Sequence, residues 1–397
     1  MDRRIARTIQ FHIDSISVVQ AETGREAKWP TVSSFDWSHH KYIPCVINTD
    51  AKLATLLPTI KSASWLALDT EADSLHAYPE KICLIQISTV AGDVLVDPLA
   101  RINLDPLLAA LNAHELIMHG ADYDLRLLRK HHEFVPSAIF DTMLAARLLG
   151  ERQFGLSSLA EKFLGVKLDK GSQKADWARR PLTERMETYA RNDTHFLKPL
   201  SDKLKLELQH KDRLAWQQES CVRLIAESSQ TSMPDMDSIW RIKGSHVLNR
   251  HALAVLRQLW HWRETEATAA NRPPFFILNH EKLVSIAATA AARKSVEYLL
   301  PTRMSPRRCE NLLEAVKSGL ALPAGQHPEI LRHKFHRPTE AEMRRYRELE
   351  KHRDARAHEL AIDPTLIASR ATLSELARDW DNHSPELMDW QRELLQI

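Results

Sequence analysis

Asp69 and Glu71 stand two residues apart at the end of the apolar run WLALDTE, so a strand there would project both carboxylates from one face. An isolated pair of this kind arises by chance in many proteins, and it needs partners. HGADYDLRLL offers Asp122 and Asp124 at a turn from strand into helix, and YARNDTHFL offers Tyr189 and Asp193, four apart and therefore on one helix face. Carboxylates gathered in one poorly solvated cleft repel one another, so the fold must hold protons on them or recruit cations. His119, His131, His132 and His195 show no HExxH or comparable zinc spacing, which leaves oxygen ligands only. Such a set favours magnesium or manganese over zinc. Two such ions side by side could orient a water as nucleophile and stabilise the leaving oxygen of a phosphodiester.

Acids at the tip of a strand are useful only if a sheet and its helices hold them. From Tyr42 the pattern supplies these elements: YIPCVI is strand-like, and Thr49 to Leu57 predicts a helix capped by Thr49 or Asp50. WLALDTE, ICLIQIS (82–88), VLVD (94–97) and ELIMHG (115–120) follow as strands, and Tyr123 to Lys130 as a helix. This order predicts an α/β domain whose mixed sheet is covered by helices on both faces. Beyond Asp141 the chain reads as helices. Leu182 to Lys205 predicts one long helix, with Met186, Tyr189, Ala190, Phe196, Leu197, Leu200 and Leu204 as its apolar stripe. Breakers at Ser228 to Ser238 mark a connection. Further helical units begin near Leu214 and near Ala341, joined by LPAGQHPEILRHKFHRP, which reads as a linker.

Composition narrows the class. The chain has 397 residues, 44% apolar and 27% charged, which excludes collagen-like, wholly disordered and disulfide-stapled proteins. Its 54 basic and 52 acidic residues give a net charge of +2, too small to announce a nucleic-acid partner and no bar to one. Cys45, Cys83, Cys221 and Cys309 are scattered without a CxxC pair, so no zinc knuckle is expected. No apolar run approaches the length of a membrane span, and Asp14 interrupts the opening MDRRIARTIQFHID, so a cytoplasmic location without a membrane partner is expected.

LALDTEAD (66–73), HGADYDLRLL (119–128) and YARNDTHFL (189–197) resemble the three exonuclease motifs of the ribonuclease D family, within the DEDD superfamily of 3′ to 5′ exonucleases. FDTMLAARLLG (140–150) and LDKGSQKADWARRPLTE (168–184) extend the match over about residues 42–205. The same segments are similar to the catalytic exonuclease associated with the eukaryotic exosome. The resemblance implies a ribonuclease H-like α/β exonuclease domain followed by two small all-helical domains. It assigns the metal-holding acids to Asp69, Glu71, Asp124 and Asp193, choosing Asp124 over Asp122, and two Mg2+ or Mn2+ ions as cofactors. Tyr189 falls where the tyrosine branch of the superfamily has its catalytic hydroxyl, and Asp141 and Lys170 would organise the motif-bearing helices. The implied activity is a metal-dependent 3′-5′ exoribonuclease that releases nucleoside 5′-monophosphates. Its partner would be RNA with an accessible single-stranded 3′ end, tRNA precursors included. A 3′-5′ DNA exonuclease and a noncatalytic RNA-binding adaptor are the alternatives.

Trp240 to Leu320 resembles the helicase-and-ribonuclease-D C-terminal domain, and Arg345 to Ala377 with LMDWQRELL looks like a second, weaker copy. Lys243, Arg250, Arg257, Arg303, Arg307 and Arg308 are the expected phosphate contacts and Trp240 the expected stacking residue. Trp260 and Trp262 cannot share a helix face, so one belongs to the core, while Phe275 and Phe276 are expected to pin a turn. The expected division is an extension at 1–36, an exonuclease domain at 37–210, a first helical domain at 211–325, and a linker with the second helical domain at 326–397. A cut near Asp212 should then separate chemistry from grip. Nothing in the sequence fixes an oligomeric state.

Overall fold

A computed structural model describes residues 46–169, 171–230, 235–331 and 336–396. The expectations for the first 36 residues, Tyr42 to Cys45, Lys170 and residues 332–335 of the basic run lie outside the described residues.

The exonuclease part is built on β1 (Val46–Ile47), α1 (Asp50–Ser62), β2 (Leu66–Ala72), β3 (Ile82–Thr89), β4 (Gly92–Val96), α2 (Asp105–Leu111), β5 (Glu115–Met118), α3 (Asp122–His132), β6 (Ala138–Asp141) and α4 (Thr142–Leu148). The strands form one mixed sheet in the order β1-β4-β3-β2-β5-β6. β2 runs antiparallel to β3 and parallel to β5, with Asp69 opposite Gln86 and Glu71 opposite Leu84. β3 is buried along its whole length, which is why ICLIQIST shows no polar alternation. Leu66 and Leu68 face a core with Leu53 and Ile60 of α1, Leu107 of α2 and Leu125 of α3. Ala67, Asp69 and Glu71 therefore face the other side.

That second side is closed by α5 (Leu156–Leu159), which continues as one π-helical turn, and by α6 (Glu184–His195) and α7 (Leu197–His210). The single long helix expected over 182–205 is two helices, broken at Phe196. Pro199 has no N–H to offer the carbonyl of His195, so the first helix cannot run on, while a proline in the first turn of the second is tolerated. Thr183 caps α6, accepting from Met186 N–H at 3.3 Å, and so sets the register in which Tyr189 and Asp193 face the sheet. Two further expectations change. The helix capped by Thr49 runs past Leu57 to Ser62, and β6, too short to announce itself, is an edge strand.

The helical half comprises α8 (Leu214–Ser229), α9 (Arg250–Ala270), α10 (Pro274–Ile277), α11 (His280–Ala291), α12 (Pro306–Leu320), α13 (Glu340–Leu360), α14 (Pro364–Ile367), α15 (Arg370–Arg378), α16 (Trp380–His383) and α17 (Asp389–Leu395). Its internal repeat is plain in three dimensions. α9 and α13 are each 21 residues long and end in left-handed Asn271 and Ala361 before a four-residue helix. Buried Arg263 pairs with its neighbour Glu264, and buried Arg353 pairs with Asp354 at the equivalent position.

The two copies differ in how they close. The first has its own core, with Trp240, Leu253, Leu256, Leu283 and Leu312. The second shares a core with the exonuclease part: Leu349, Ile367, Leu373 and Trp390 cluster with Phe140, Leu148, Leu159 and Leu204. α8, expected to belong with the first helical domain, packs on α3, α4 and β6, and its Cys221 joins the core beneath the sheet. Arg213 bridges the parts, donating to the carbonyls of Leu148 at 2.8 Å and Leu360 at 2.7 Å. Gly150 sits at φ +92°, where a Cβ would lie 2.0 Å from the carbonyl oxygen of Ala361. A cut near Asp212 therefore opens a core instead of parting two domains. Among the described residues, no helix is long and apolar enough to cross a membrane.

Candidate active site

β2 presents Asp69 and Glu71 to α6, and one oxygen from each lies within 4.8 Å of an oxygen of Asp193. Tyr189, one turn before Asp193 on α6, hydrogen-bonds to its carboxylate. These groups line a cleft of about 490 Å³ with Thr70, His119, Met143, Ser157, Asp169 and Gln173. Asp124 lies beside the trio. It is buried in the first turn of α3, where the helix N-terminus favours negative charge, and it accepts from the N–H of Thr70 at 3.1 Å and from the Thr70 hydroxyl. Thr70 separates Asp69 from Glu71, so this bond fixes the second motif against the first. Asp122 is half-exposed and pairs on the outer surface with Arg126. The structure thus brings Asp124, and not Asp122, toward the other acids.

Asp141 holds this corner together. Its carboxylate accepts from Met143 and Leu144 at the start of α4, at 2.7 and 3.1 Å, and from Gly120 and Ala121 before α3, at 3.1 and 2.8 Å. His119 is oriented by a second chain of bonds. The Thr142 hydroxyl has one proton, which it donates to the carbonyl of Met118 at 3.1 Å. His119 Nδ1 must then donate to that hydroxyl at 2.9 Å, and Nε2 keeps its lone pair. Burial lowers the His119 pKa, in keeping with a neutral ring.

The acids resist ionisation. Burial, with the charges of Asp124, Asp193 and Glu71, raises Asp69 well above the usual carboxylate range. Burial, with Asp193 and Asp124, pushes Glu71 up to about 9. Burial also raises Asp193 to about 7 and Asp124 to about 6, against hydrogen bonds from Tyr189 and Thr70 that work the other way. Tyr189 is raised too, by burial and then by the neighbouring carboxylates, so its phenol stays protonated. This is the electrostatics expected of a site shaped for cations.

One buried group escaped the sequence reading. Gln86, opposite Asp69 in the register, is fully buried, and neither its Oε1 nor its Nε2 has a partner among the described residues. Its only signal is an amide between two isoleucines of a buried strand. A second group of possible ligands, Glu375, His383 and Glu386, lies on the second helical unit, and two of its three members are exposed.

The expected RNA contacts divide. Trp240 is buried at 1% exposure beneath the Arg241 guanidinium, so it is a core residue and cannot stack a base. Arg250 donates to the carbonyls of His327 and Pro328 at 2.8 and 3.3 Å, and Arg257 to that of Gln326 at 3.4 Å, binding the post-α12 segment to α9. Arg307 and Arg308 pair with Glu266 at 3.4 and 3.0 Å. Lys243 and Arg303 are exposed. Trp262 is core and Trp260 packs half-buried against the same cluster, while Phe275 and Phe276, expected to pin a turn, are exposed at 52% and 58%.

Comparison with known proteins agrees with this geometry. The family described as 3′-5′ exonuclease matches residues 44–209, and the HRDC domain matches residues 252–297. The chain is 31% identical over 360 residues to ribonuclease D of Gluconacetobacter diazotrophicus, covering 88% of this chain and 90% of that one. It is 34% identical over 295 residues to ribonuclease D of Zymomonas mobilis, covering 72% and 75%. The crystal structure of Escherichia coli RNase D, described as an exoribonuclease involved in structured RNA processing, superposes with a TM-score of 0.69 at 25% identity, over 88% of this chain and 96% of that one.

Proposed function

The chain belongs to the ribonuclease D family, and from that premise we propose that Asp69, Glu71, Asp124 and Asp193 hold two magnesium or manganese ions for hydrolysis of the last phosphodiester of an RNA. The activity itself, a 3′-5′ exoribonuclease in RNA processing, follows from the family. The metal assignment rests on one observation above the others: half-buried carboxylates from β2 and α6 face one another within 4.8 Å. Without cations that arrangement is costly, and the donors are oxygens only, which suits hard divalent ions. Bound there, such ions supply Lewis acidity and neutralise charge on the phosphodiester.

The chain's own groups do the rest. The Tyr189 hydroxyl donates to Asp193, which leaves its oxygen lone pairs to accept from an attacking water. A phenol held above its ordinary pKa aims that water and does not deprotonate it. Thr70 keeps Asp124 beside the trio, and Asp141 keeps the start of α3 in place. The products are nucleoside 5′-monophosphates. The substrate class is structured RNA with a free single-stranded 3′ end, tRNA precursors among them, supported by the description of the Escherichia coli relative.

A time course with 5′-labelled single-stranded RNA and matched DNA, with magnesium and with chelator, tests this reading. The expected result is a ladder shortening from the 3′ end, faster on RNA and quenched by chelator. Asp69→Asn should abolish it and the outward-facing Asp122→Asn should leave it nearly intact. Full turnover by folded Asp69→Asn would overturn the metal assignment, and faster digestion of DNA across unrelated sequences would make the protein a DNA exonuclease in practice.

A further inference from the structure

α9 ends at Asn271, and Pro273 and Pro274 then start α10 with two phenylalanines that the core does not take. Phe275 and Phe276 are 52% and 58% exposed, with ring centroids 4.5 Å apart and planes tilted by 37°. Exposing two adjacent phenylalanines forgoes the burial that normally orders such side chains. The short helix that carries them is nonetheless anchored, because Pro273 and Ile277 on either side are buried. Phe275 borders two surface concavities, of about 710 and 290 Å³, and Phe276 borders the smaller.

Charge around the pair is one-sided. Lys243 lines the larger concavity, and Lys282 and Arg303 line the smaller. All three are exposed. Arg307 and Arg308 of this unit are committed to Glu266, and Arg250 and Arg257 to backbone carbonyls. Glu281 is the one carboxylate among the residues lining either concavity. Flat apolar rings flanked by cations that form no ion pair among the described residues match the chemistry of a single nucleic-acid strand, whose bases stack and whose phosphates need counter-charge.

The position also fits. The Asn271 side chain accepts from the N–H of Tyr78 at 3.3 Å, and the Tyr78 hydroxyl bonds to Glu264 of α9. Tyr78 lies on the loop that leaves the acid-bearing end of β2. Phe275 follows Asn271 by four residues, so it lies at most about 14 Å along the chain from that junction.

We propose that Phe275 and Phe276 are a stacking platform for the single-stranded RNA 5′ of the nucleotide being removed, with Lys243, Lys282 and Arg303 meeting its phosphates. The proposal rests on the exoribonuclease reading above; of the basic residues expected from the sequence it keeps Lys243 and Arg303, and it adds Lys282 and a pair of stacking rings that the motifs did not contain. Because the platform shares no residue with the acidic cleft, it acts on long strands and leaves a dinucleotide unaffected.

The test uses the full chain with Phe275→Leu/Phe276→Leu, which keeps apolar bulk and removes the flat ring, beside Phe275→Tyr/Phe276→Tyr, which keeps it. Binding of a single-stranded RNA of about 15 nucleotides is read by fluorescence anisotropy in chelator, so no cleavage is needed. The leucine pair should weaken binding by about 10-fold or more and the tyrosine pair should restore it. With magnesium, the leucine pair should raise KM for the long strand and leave dinucleotide hydrolysis unchanged. Replacing Lys243, Lys282 and Arg303 by alanine should flatten the salt dependence of binding. Unchanged affinity of the leucine pair would overturn the platform, as would an equal loss on the dinucleotide. If the unaltered protein binds RNA in chelator yet cleaves nothing with magnesium, the exoribonuclease reading fails, while the leucine and tyrosine pairs still decide the platform by binding.

Discussion

Tyr189 shows how far residue chemistry constrains mechanism. Its hydroxyl is hydrogen-bonded to Asp193, and burial with the nearby acids raises its pKa, so the role proposed for it is to position a water and not to deprotonate one. Tyr189→Phe should therefore slow hydrolysis by about 10-fold to 1000-fold, with magnesium affinity little changed. Single-turnover rates at saturating metal check this, and a loss confined to metal affinity would make the tyrosine structural. At this scale the acids were legible because each sits at a strand end or a helix turn whose period fixes its direction. The choice of Asp124 over Asp122 came from the family resemblance, and the placement of Asp122 against Arg126 on the outer surface accords with it. Gln86 was not legible, since its meaning depends on lying opposite Asp69 across a strand pair. Trp240 misled for the converse reason: a tryptophan beside basic residues reads as a stacking group until burial shows it to be core.

At the scale of elements, β2 and α6 meet across a seam of mutually repelling carboxylates, and the seam predicts a pH dependence. The ordinary pKa of Asp193 is 3.8 and that of Glu71 is 4.5, and in the fold they rise to about 7 and about 9. The folded chain thus keeps protons that the unfolded chain has released, and their contribution to stability is full below about pH 4. It is lost as pH climbs through 7 and 9. Metal-free protein should accordingly lose several degrees of Tm between about pH 5 and pH 9, and added magnesium should restore more at the upper end than at the lower. Glu71→Gln should flatten the metal-free slope; a slope unchanged by that substitution would show that other groups carry it. The elements that form this seam were largely legible from apolar runs and turn residues. The exceptions were local in origin: β6 is four residues at a sheet edge, and the break at Phe196 depends on a missing N–H at Pro199 that an apolar stripe running through it conceals.

For the whole molecule, the motifs place every catalytic candidate before residue 212, which suggests a detachable nuclease, and the packing says otherwise. Leu148, Leu159 and Leu204 of the exonuclease part are covered by Leu349, Ile367, Leu373 and Trp390 from the far end of the chain. α8 lies against the sheet through Cys221, Leu224 and Ile225. Trp216 stacks on Trp390 at 5.0 Å, and Glu219 accepts from the N–H of Asp389 at 2.6 Å to cap α17. No sequence period reports such pairings, because each partner looks like ordinary helix core in its own segment. By contrast, the first helical unit encloses Trp240, Leu256 and Leu312 in a core of its own and meets the exonuclease part through Tyr78. The chain should therefore come apart in an order that the motifs do not suggest. A fragment of residues 235–331 is expected to fold alone with a cooperative thermal transition. A chain stopped after Asp212 is expected to lack such a transition and to lose most of its cleavage even of short RNA, since burying several leucines each contributes about 1.5 to 3 kcal/mol against a total stability of about 5 to 15 kcal/mol. Circular dichroism melts of the two fragments beside the full chain decide the matter. A cooperative transition and full RNA cleavage by the chain stopped after Asp212 would show that the shared core stabilises the second helical unit alone and is dispensable to the nuclease.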